Sequence, residues 1–151
     1  MRDIKFRCWD KKSKKMRQVT EIVFNTGFYN ETNDNSVKLI WVKGLDITEN
    51  KEMQIQREND FILMQYTGLK DKNGVEIYEG DIVKKLIWNE LKFEAEGDGQ
   101  DYSYAEVRYI DELSGFHLVN KDNKILWEIA QDKYNIEVAG NIYDHPELLK
   151  E

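Results

Sequence analysis

Gln65-Tyr66-Thr67-Gly68-Leu69-Lys70-Asp71-Lys72-Asn73-Gly74-Val75-Glu76-Ile77-Tyr78-Glu79-Gly80-Asp81-Ile82-Val83 sets three glycines between short apolar runs. Asn73-Gly74 is a strong hairpin signal, because a type I′ turn needs positive φ at both central residues and this pair adopts it at little cost. Gly80-Asp81 marks a second reversal. Gly takes a conformation that a side chain forbids, and Asp accepts from nearby backbone N–H groups. Phe61-Ile62-Leu63-Met64-Gln65-Tyr66 leads into this hairpin as a buried strand, and the chain on either side should be β.

Working outward toward the N-terminus, Ile4, Phe6 and Cys8 alternate with Lys5, Arg7 and Trp9. Period two predicts a half-buried strand with either face inside. Residues 16–24 repeat β-branched and apolar side chains, giving a second strand. Lys11-Lys12-Ser13-Lys14-Lys15 is then the solvated turn of an N-terminal hairpin. Residues 26–36 read as a polar loop rich in Asn. Residues 37–42 read as a strand ended by Gly44, and 45–60 follow neither period, as a short helix or a charged hairpin would.

Toward the C-terminus, 82–88 predict a strand with Lys84 and Lys85 facing water, and the acidic stretch 89–101 an insertion-like loop. Residues 102–110 and 115–119 form a hairpin about 111–114. A turn at 121–124, a strand at 125–127, one helical turn over 128–132 and a sheet-closing strand at 136–142 follow. Pro146, the one proline, fits the first position of a short C-terminal helix capped by Asp144 or His145. Many short strands without a 3.6-residue period predict a mainly β fold, an antiparallel β-rich roll or barrel. We expect an N-terminal β-hairpin region, 1–60, and a second region, 61–151, within one compact unit.

The 151 residues are 40% hydrophobic, 34% charged and 12% aromatic, which suits a folded domain. No apolar run nears the roughly 18 residues of a membrane helix, and the N-terminus lacks the apolar core of a secretion signal. Cys8 alone cannot form an internal disulfide, so the expected compartment is cytoplasmic and reducing, with no membrane association. Residues 1–17 hold eight Lys/Arg against two Asp/Glu, a net of +6, leaving 14 basic and 27 acidic residues, a net of −13, in the remainder. An acidic body repels phosphate backbones. Only Lys5, Arg7, Lys11, Lys12, Lys14, Lys15 and Arg17 are candidate nucleic-acid contacts, with Tyr or Trp stacking on bases.

Candidate chemistry is sparse. Cys8 alternates with apolar residues and is expected in the core. His117 and His145 share no metal-ligand spacing. Asp71-Lys72-Asn73-Gly74 resembles the middle of a calcium loop, but the ligand positions would fall on Leu69 and Gly80. Gly97-Asp98-Gly99 lacks the Gly-Lys-Ser/Thr ending of a phosphate loop. The pairs Glu79/Asp81 and Asp111/Glu112 lie at turns and are expected to be solvated. Catalytic residues, cofactors and metals are therefore expected to be none. Trp9, Trp41, Trp88 and Trp127, with eight tyrosines, are expected to fill the core or a subunit interface.

Three groups of segments carry a resemblance: Ile4-Lys5-Phe6-Arg7-Cys8-Trp9-Asp10-Lys11-Lys12 with Lys15-Met16; Met64-Gln65-Tyr66-Thr67-Gly68-Leu69-Lys70-Asp71 through Glu79-Gly80-Asp81-Ile82-Val83; and Val138-Ala139-Gly140-Asn141-Ile142-Tyr143 with Pro146-Glu147-Leu148-Leu149. In this order they resemble the YopX family of phage and prophage proteins. The resemblance implies a small β-rich protein from a bacteriophage or prophage of low-GC Gram-positive bacteria, whose region 61–151 is similar to an SH3-like barrel. It implies no activity, and no catalytic residue is carried over. The expectation is a non-enzymatic phage accessory protein that binds a host or phage macromolecule as a homo-oligomer. The alternative is a nucleic-acid binding protein using the basic hairpin.

Overall fold

The computed structural model describes residues 3–25, 38–46, 51–55, 60–132 and 135–150. The fold is mainly β, in antiparallel sheets, and it divides into two compact units, Ile4–Gln65 and Tyr66–Glu151.

In the first unit the strand order is β4(Lys51–Ile55)-β3(Lys38–Asp46)-β2(Lys15–Asn25)-β1(Phe6–Asp10)-β5(Phe61–Lys70), every neighbour antiparallel. The expected N-terminal hairpin forms, with Trp9 opposite Met16 and Cys8 opposite Arg17. Both faces of β1 are covered, since Cys8 and Trp9 are each buried. Cys8 and Phe61 form a small core with Val19 and Leu63 against them. Gly44 does not end β3. It lies between two partner strands, in register with Val19 and Met53, so the ladder continues through it. β4 emerges where neither period was visible, because five residues on a sheet edge are too few for alternation to register. The polar loop expected at 26–36 lies outside the described residues.

β5 runs on past Gln65 to pair with β6(Glu76–Tyr78), with Gly68 at φ +86° where the register shifts. The hairpin turn sits at 71–75 as expected, but Asn73 keeps a negative φ and Gly74 alone is left-handed, at +84°. Asp71 is the reason. Its N–H donates to the Val75 carbonyl at 2.9 Å, and its Oδ1 accepts from Asn73 and Val75 N–H at 2.8 and 2.9 Å. That Asx-type wrap fixes a wider turn than the two-residue I′ form.

The second unit is built on a five-stranded sheet, β10(Ile125–Glu128)-β9(Gly115–Val119)-β8(Gln100–Ile110)-β7(Asp81–Trp88)-β11(Ile136–Asn141). Val83, Ala105, Val107, Phe116 and Leu118 face one side, where Ile77, Ile136 and Ile129 of the short α2(Ile129–Asp132) join them. Each fully buried Ile, Val or Leu there contributes roughly 1.5–3 kcal/mol. The sheet curls on that side: Lys85 Nζ of β7 lies 4.3 Å from the Trp127 ring centroid of β10, with β8 and β9 between them in strand order. No pairing joins β10 to β11 among the described residues, so barrel closure is not seen.

Pro146 does open a short terminal helix, the 3-10 turn Pro146–Leu149, but no side chain caps it. Asn141 bonds the preceding turn instead, through Tyr143 and Asp144 N–H. Asp81 is another departure. Expected in a solvated turn, it is buried, and its Oδ2 accepts from Tyr78 N–H at 2.7 Å. The chain reverses through Glu79 and Gly80, and the carboxylate holds the Tyr78 N–H across that turn.

Candidate binding surfaces

The stretch expected to be an acidic loop forms a helix, α1(Glu90–Glu96). Both ends are capped. Asn89 Oδ1 accepts from Lys92 N–H at 3.2 Å, and Gly97, at φ +76°, donates from its N–H to the Phe93 carbonyl. Asn89 Nδ2 also donates to Asp101 Oδ2 at 2.8 Å, and Lys92 Nζ to the Gln100 carbonyl, tying the helix to the start of β8.

This helix buries nothing. Leu91 and Phe93 are exposed on it, the first by 76%, and Trp88, at the end of β7, is exposed by 63%. The Trp88 ring packs on Phe93, centroids 5.2 Å apart, and lies so close over Gly99 that a Cβ there would come within 2.7 Å of the indole. Leu86 and Tyr102, also exposed, stand opposite each other in register on β7 and β8. Together these five half- to three-quarters-exposed large side chains present apolar surface on the order of 500 Å², toward the upper end for a monomer.

Charges of both signs stand among these residues in sequence: Lys84, Lys85 and Lys92, against Glu90, Glu94, Glu96 and Asp98. Lys84 and Lys85 do not simply face water as expected. Lys84 Nζ lies 5.4 Å from the Tyr102 ring centroid and 3.3 Å from Glu137, and Lys85 covers Trp127.

Beside β8 lies a cleft of about 300 Å³ lined by Tyr102, Tyr104, Asp101, Asn120, Lys121 and Leu148 among others. Its polar groups serve the fold. Asn120 Oδ1 accepts from Asp122 and Lys124 N–H, and Asp101 is held below the usual carboxylate range by the Asn89 amide and the Tyr102 N–H.

The seven basic residues of the N-terminal hairpin differ in placement. Lys11, Lys12 and Lys14 occupy the turn and Lys15 opens β2, all four exposed. Lys5 and Arg7 are half-buried, on or just before β1. Arg17, 3% exposed, is turned inward: its Nε lies 3.5 Å from Asp10 and its guanidinium donates to Ser13 Oγ at 3.1 Å. Asp10 in turn wraps the turn, its Oδ1 accepting from Lys12 and Ser13 N–H and its Oδ2 from the Ser13 hydroxyl.

Cys8 is a core residue as expected. Burial first, then Asp10, push its thiol up to about 12 against the opposing pull of Arg17, so it stays protonated and unreactive. His117 is buried in β9, its Nδ1 3.1 Å from the Gly115 carbonyl, and the His145 ring packs on Gly140. Among the described residues, no three His, Cys, Asp or Glu side chains gather as a metal site would need, and no helix is long and apolar enough to cross a membrane.

Sequence reasoning missed the aromatic arm for a physical reason. Leu91, Phe93 and Ala95 recur at every second residue, and a helix buried on no face carries no 3.6-residue stripe to detect. The usable signals were its caps, Asn89 and Gly97.

A family model described as YopX protein matches residues 5–150. No curated protein matches the chain. Among solved structures, the crystal structure of protein EF1440 from Enterococcus faecalis is similar, with 25% identity, 99% of each chain covered and a TM-score of 0.58. Protein yopX from Bacillus subtilis is similar in fold, at 20% identity, with 97% of this chain and 96% of that one covered and a TM-score of 0.55.

Proposed function

The chain belongs to the YopX family, whose model matches residues 5–150, and from that premise we propose that it is a non-enzymatic macromolecule-binding module acting as a homo-oligomer through the aromatic arm of β7, α1 and β8. The observation that carries this is α1 itself, a helix capped at both ends that spends its apolar residues on solvent. Seven residues are far too few for an isolated helix to be stable in water. Its caps and its ties to β8 hold it, and they hold Trp88 and Phe93 as a preformed aromatic anchor.

The occupant is a second copy of the chain. Lys92 stands among Glu90, Glu94 and Glu96 on the helix that carries the exposed apolar side chains, so the surface offers both signs of charge to its own image. Its apolar area, on the order of 500 Å², is comparable to the apolar share, about 60%, of the roughly 800 Å² per partner of a standard interface. The non-enzymatic character rests on how the reactive side chains are used: Cys8 is a buried thiol, and the buried acids Asp10, Asp71 and Asp81 are occupied by backbone N–H groups. We further place the five-stranded sheet among SH3-like rolls, on the strength of its curl, and the protein in the cytoplasm of a bacterium carrying a phage or prophage, where a free thiol is stable.

Sedimentation equilibrium tests the interface. Wild-type protein should self-associate with a concentration-dependent mass, and W88S/F93S should weaken that association at least about tenfold, since both substitutions remove exposed anchors. The melting temperature should barely move. A wild-type protein that stays monomeric, or a variant that associates as before, would overturn the assignment.

A further inference from the structure

Leu91 is the least covered apolar side chain of the aromatic arm, at 76% exposure. Residues two apart on a helix point about 200° from each other, so while Phe93 turns onto the Trp88 ring, Leu91 is directed away from that pair. The caps of α1 and its ties to β8 hold it in place. The arm therefore carries a fixed apolar knob.

The cleft beside β8 is its counterpart. Two of its polar residues make no demand on an occupant: Asp101 accepts from the Tyr102 N–H at Oδ1 and from Asn89 Nδ2 at Oδ2, and Asn120 Oδ1 accepts from two N–H groups of its own turn. Ile87, Leu148 and Leu149 give it apolar walls, together with Tyr102 and Tyr104. At about 300 Å³ it lies at the bottom of the size range of small-molecule pockets and suits a single large side chain. Tyr102 belongs to both features, as an exposed residue of the arm and as part of the cleft lining, and knob and recess lie in one compact unit.

Resting on the reading of the arm as a self-interface, we infer that Leu91 of one copy seats in the β8 cleft of a second copy, and the reverse, so that two identical contacts hold the pair. A two-fold interface sets one patch against its own image, and every contact is made twice. A patch that carries a fixed knob must then carry a recess as well, or the knobs hold the two surfaces apart. This one has both, on an apolar area of the order of 500 Å², about the apolar share of one partner in a standard interface. Charge agrees with the seating. Glu94, three residues on, shares the helix face of Leu91, and Lys121 lines the cleft, so opposite signs meet.

Sedimentation equilibrium of two variants, alone and mixed, tests this. L91A removes the knob from both contacts and should weaken self-association about tenfold for each, about a hundredfold in all, with an unchanged melting temperature. L149W narrows the recess and should weaken it similarly. A mixture of labelled L91A with unlabelled L149W restores one contact, since an open recess then meets an intact knob, and should associate about tenfold more tightly than either variant alone. Lost contact area by itself would weaken L91A but would give the mixture no such gain. If L149W misfolds, mixed L91C and K121C chains treated with glutathione disulfide should give more covalent heterodimer than L91C homodimer, the buried Cys8 thiol staying out of the reaction. L91A that associates as wild type does, a mixture no tighter than its components, or a heterodimer no more abundant than the homodimer overturns the seating, while W88S/F93S still reports on the arm. Monomeric wild-type protein overturns the arm reading and the seating with it.

Discussion

Three buried aspartates organise this chain, and each does so by collecting backbone N–H groups that a tight turn would otherwise strand. Asp71 is the widest in reach. Its Oδ1 takes Asn73 and Val75, while its Oδ2 takes the Val138 N–H at 2.9 Å, linking the turn to β11, 67 residues away. Asp71→Ala leaves three donors without an acceptor and should cost about 3 kcal/mol or more, with Asp71→Asn losing about half as much because one acceptor oxygen remains. Urea denaturation at neutral pH checks both. Asp10 carries a pH signature as well. Burial works against its ionisation, but the Ser13 hydroxyl and the Ser13 and Lys12 N–H groups, with Arg17, hold its carboxyl below the usual carboxylate range. A depressed folded-state value contributes stability that is complete above the ordinary carboxylate pKa of about 4 and is lost as pH falls through the folded value. Asp10→Asn should therefore cost about 2 kcal/mol at neutral pH, and its deficit against wild type should shrink as pH falls below about 4. Thermal melts over an acid series read this directly. Little of it was legible in sequence. Asp81 stood out as a turn residue, but a turn acid that is solvated and one that is buried have the same letter, and the difference lies in what the rest of the chain packs over it.

At the scale of elements, the strands from 61 to 88 and from 102 to 119 were legible because period two and glycine turns are local properties. α1 was not, since nothing local demands it. Its existence depends on two caps and on ties to β8 made by Asn89 and Lys92. Gly99 is part of the same device, as the floor on which the Trp88 indole lies. Gly99→Ala removes no apolar surface, yet the added Cβ must push the indole aside, and Trp88, being largely exposed, can move. The expected outcome is a self-association constant weakened by about 1 kcal/mol with little loss of folding stability, because a preformed anchor has become a mobile one. Sedimentation of Gly99→Ala beside wild type separates loss of preorganisation from loss of contact area.

For the molecule as a whole, short strands without a 3.6-residue period foretold a mainly β chain, and the described residues are mainly β. The site did not emerge from charge counting. Seven basic residues share one stretch of sequence, but strand alternation sends Arg17 inward opposite Cys8, and only the turn keeps its lysines in solvent. The exposed aromatic arm was equally silent, because a tryptophan reads alike in a core and on a surface.

β5 is the strand from which this protein cannot be divided. Its first half pairs with β1 and its second with β6, one half in each compact unit. A polypeptide ending before Phe61 would leave β1 with a bare row of N–H and C=O groups, and one beginning after Lys70 would do the same to β6. Such edges recruit other chains. Fragments 1–60 and 71–151 should accumulate in the insoluble fraction on expression, whereas 1–70, which keeps β1 covered, should be recovered in the supernatant. Proteolytic trimming inside this strand is thus a route to aggregation, because the sheet edge of each half is covered by the strand they share.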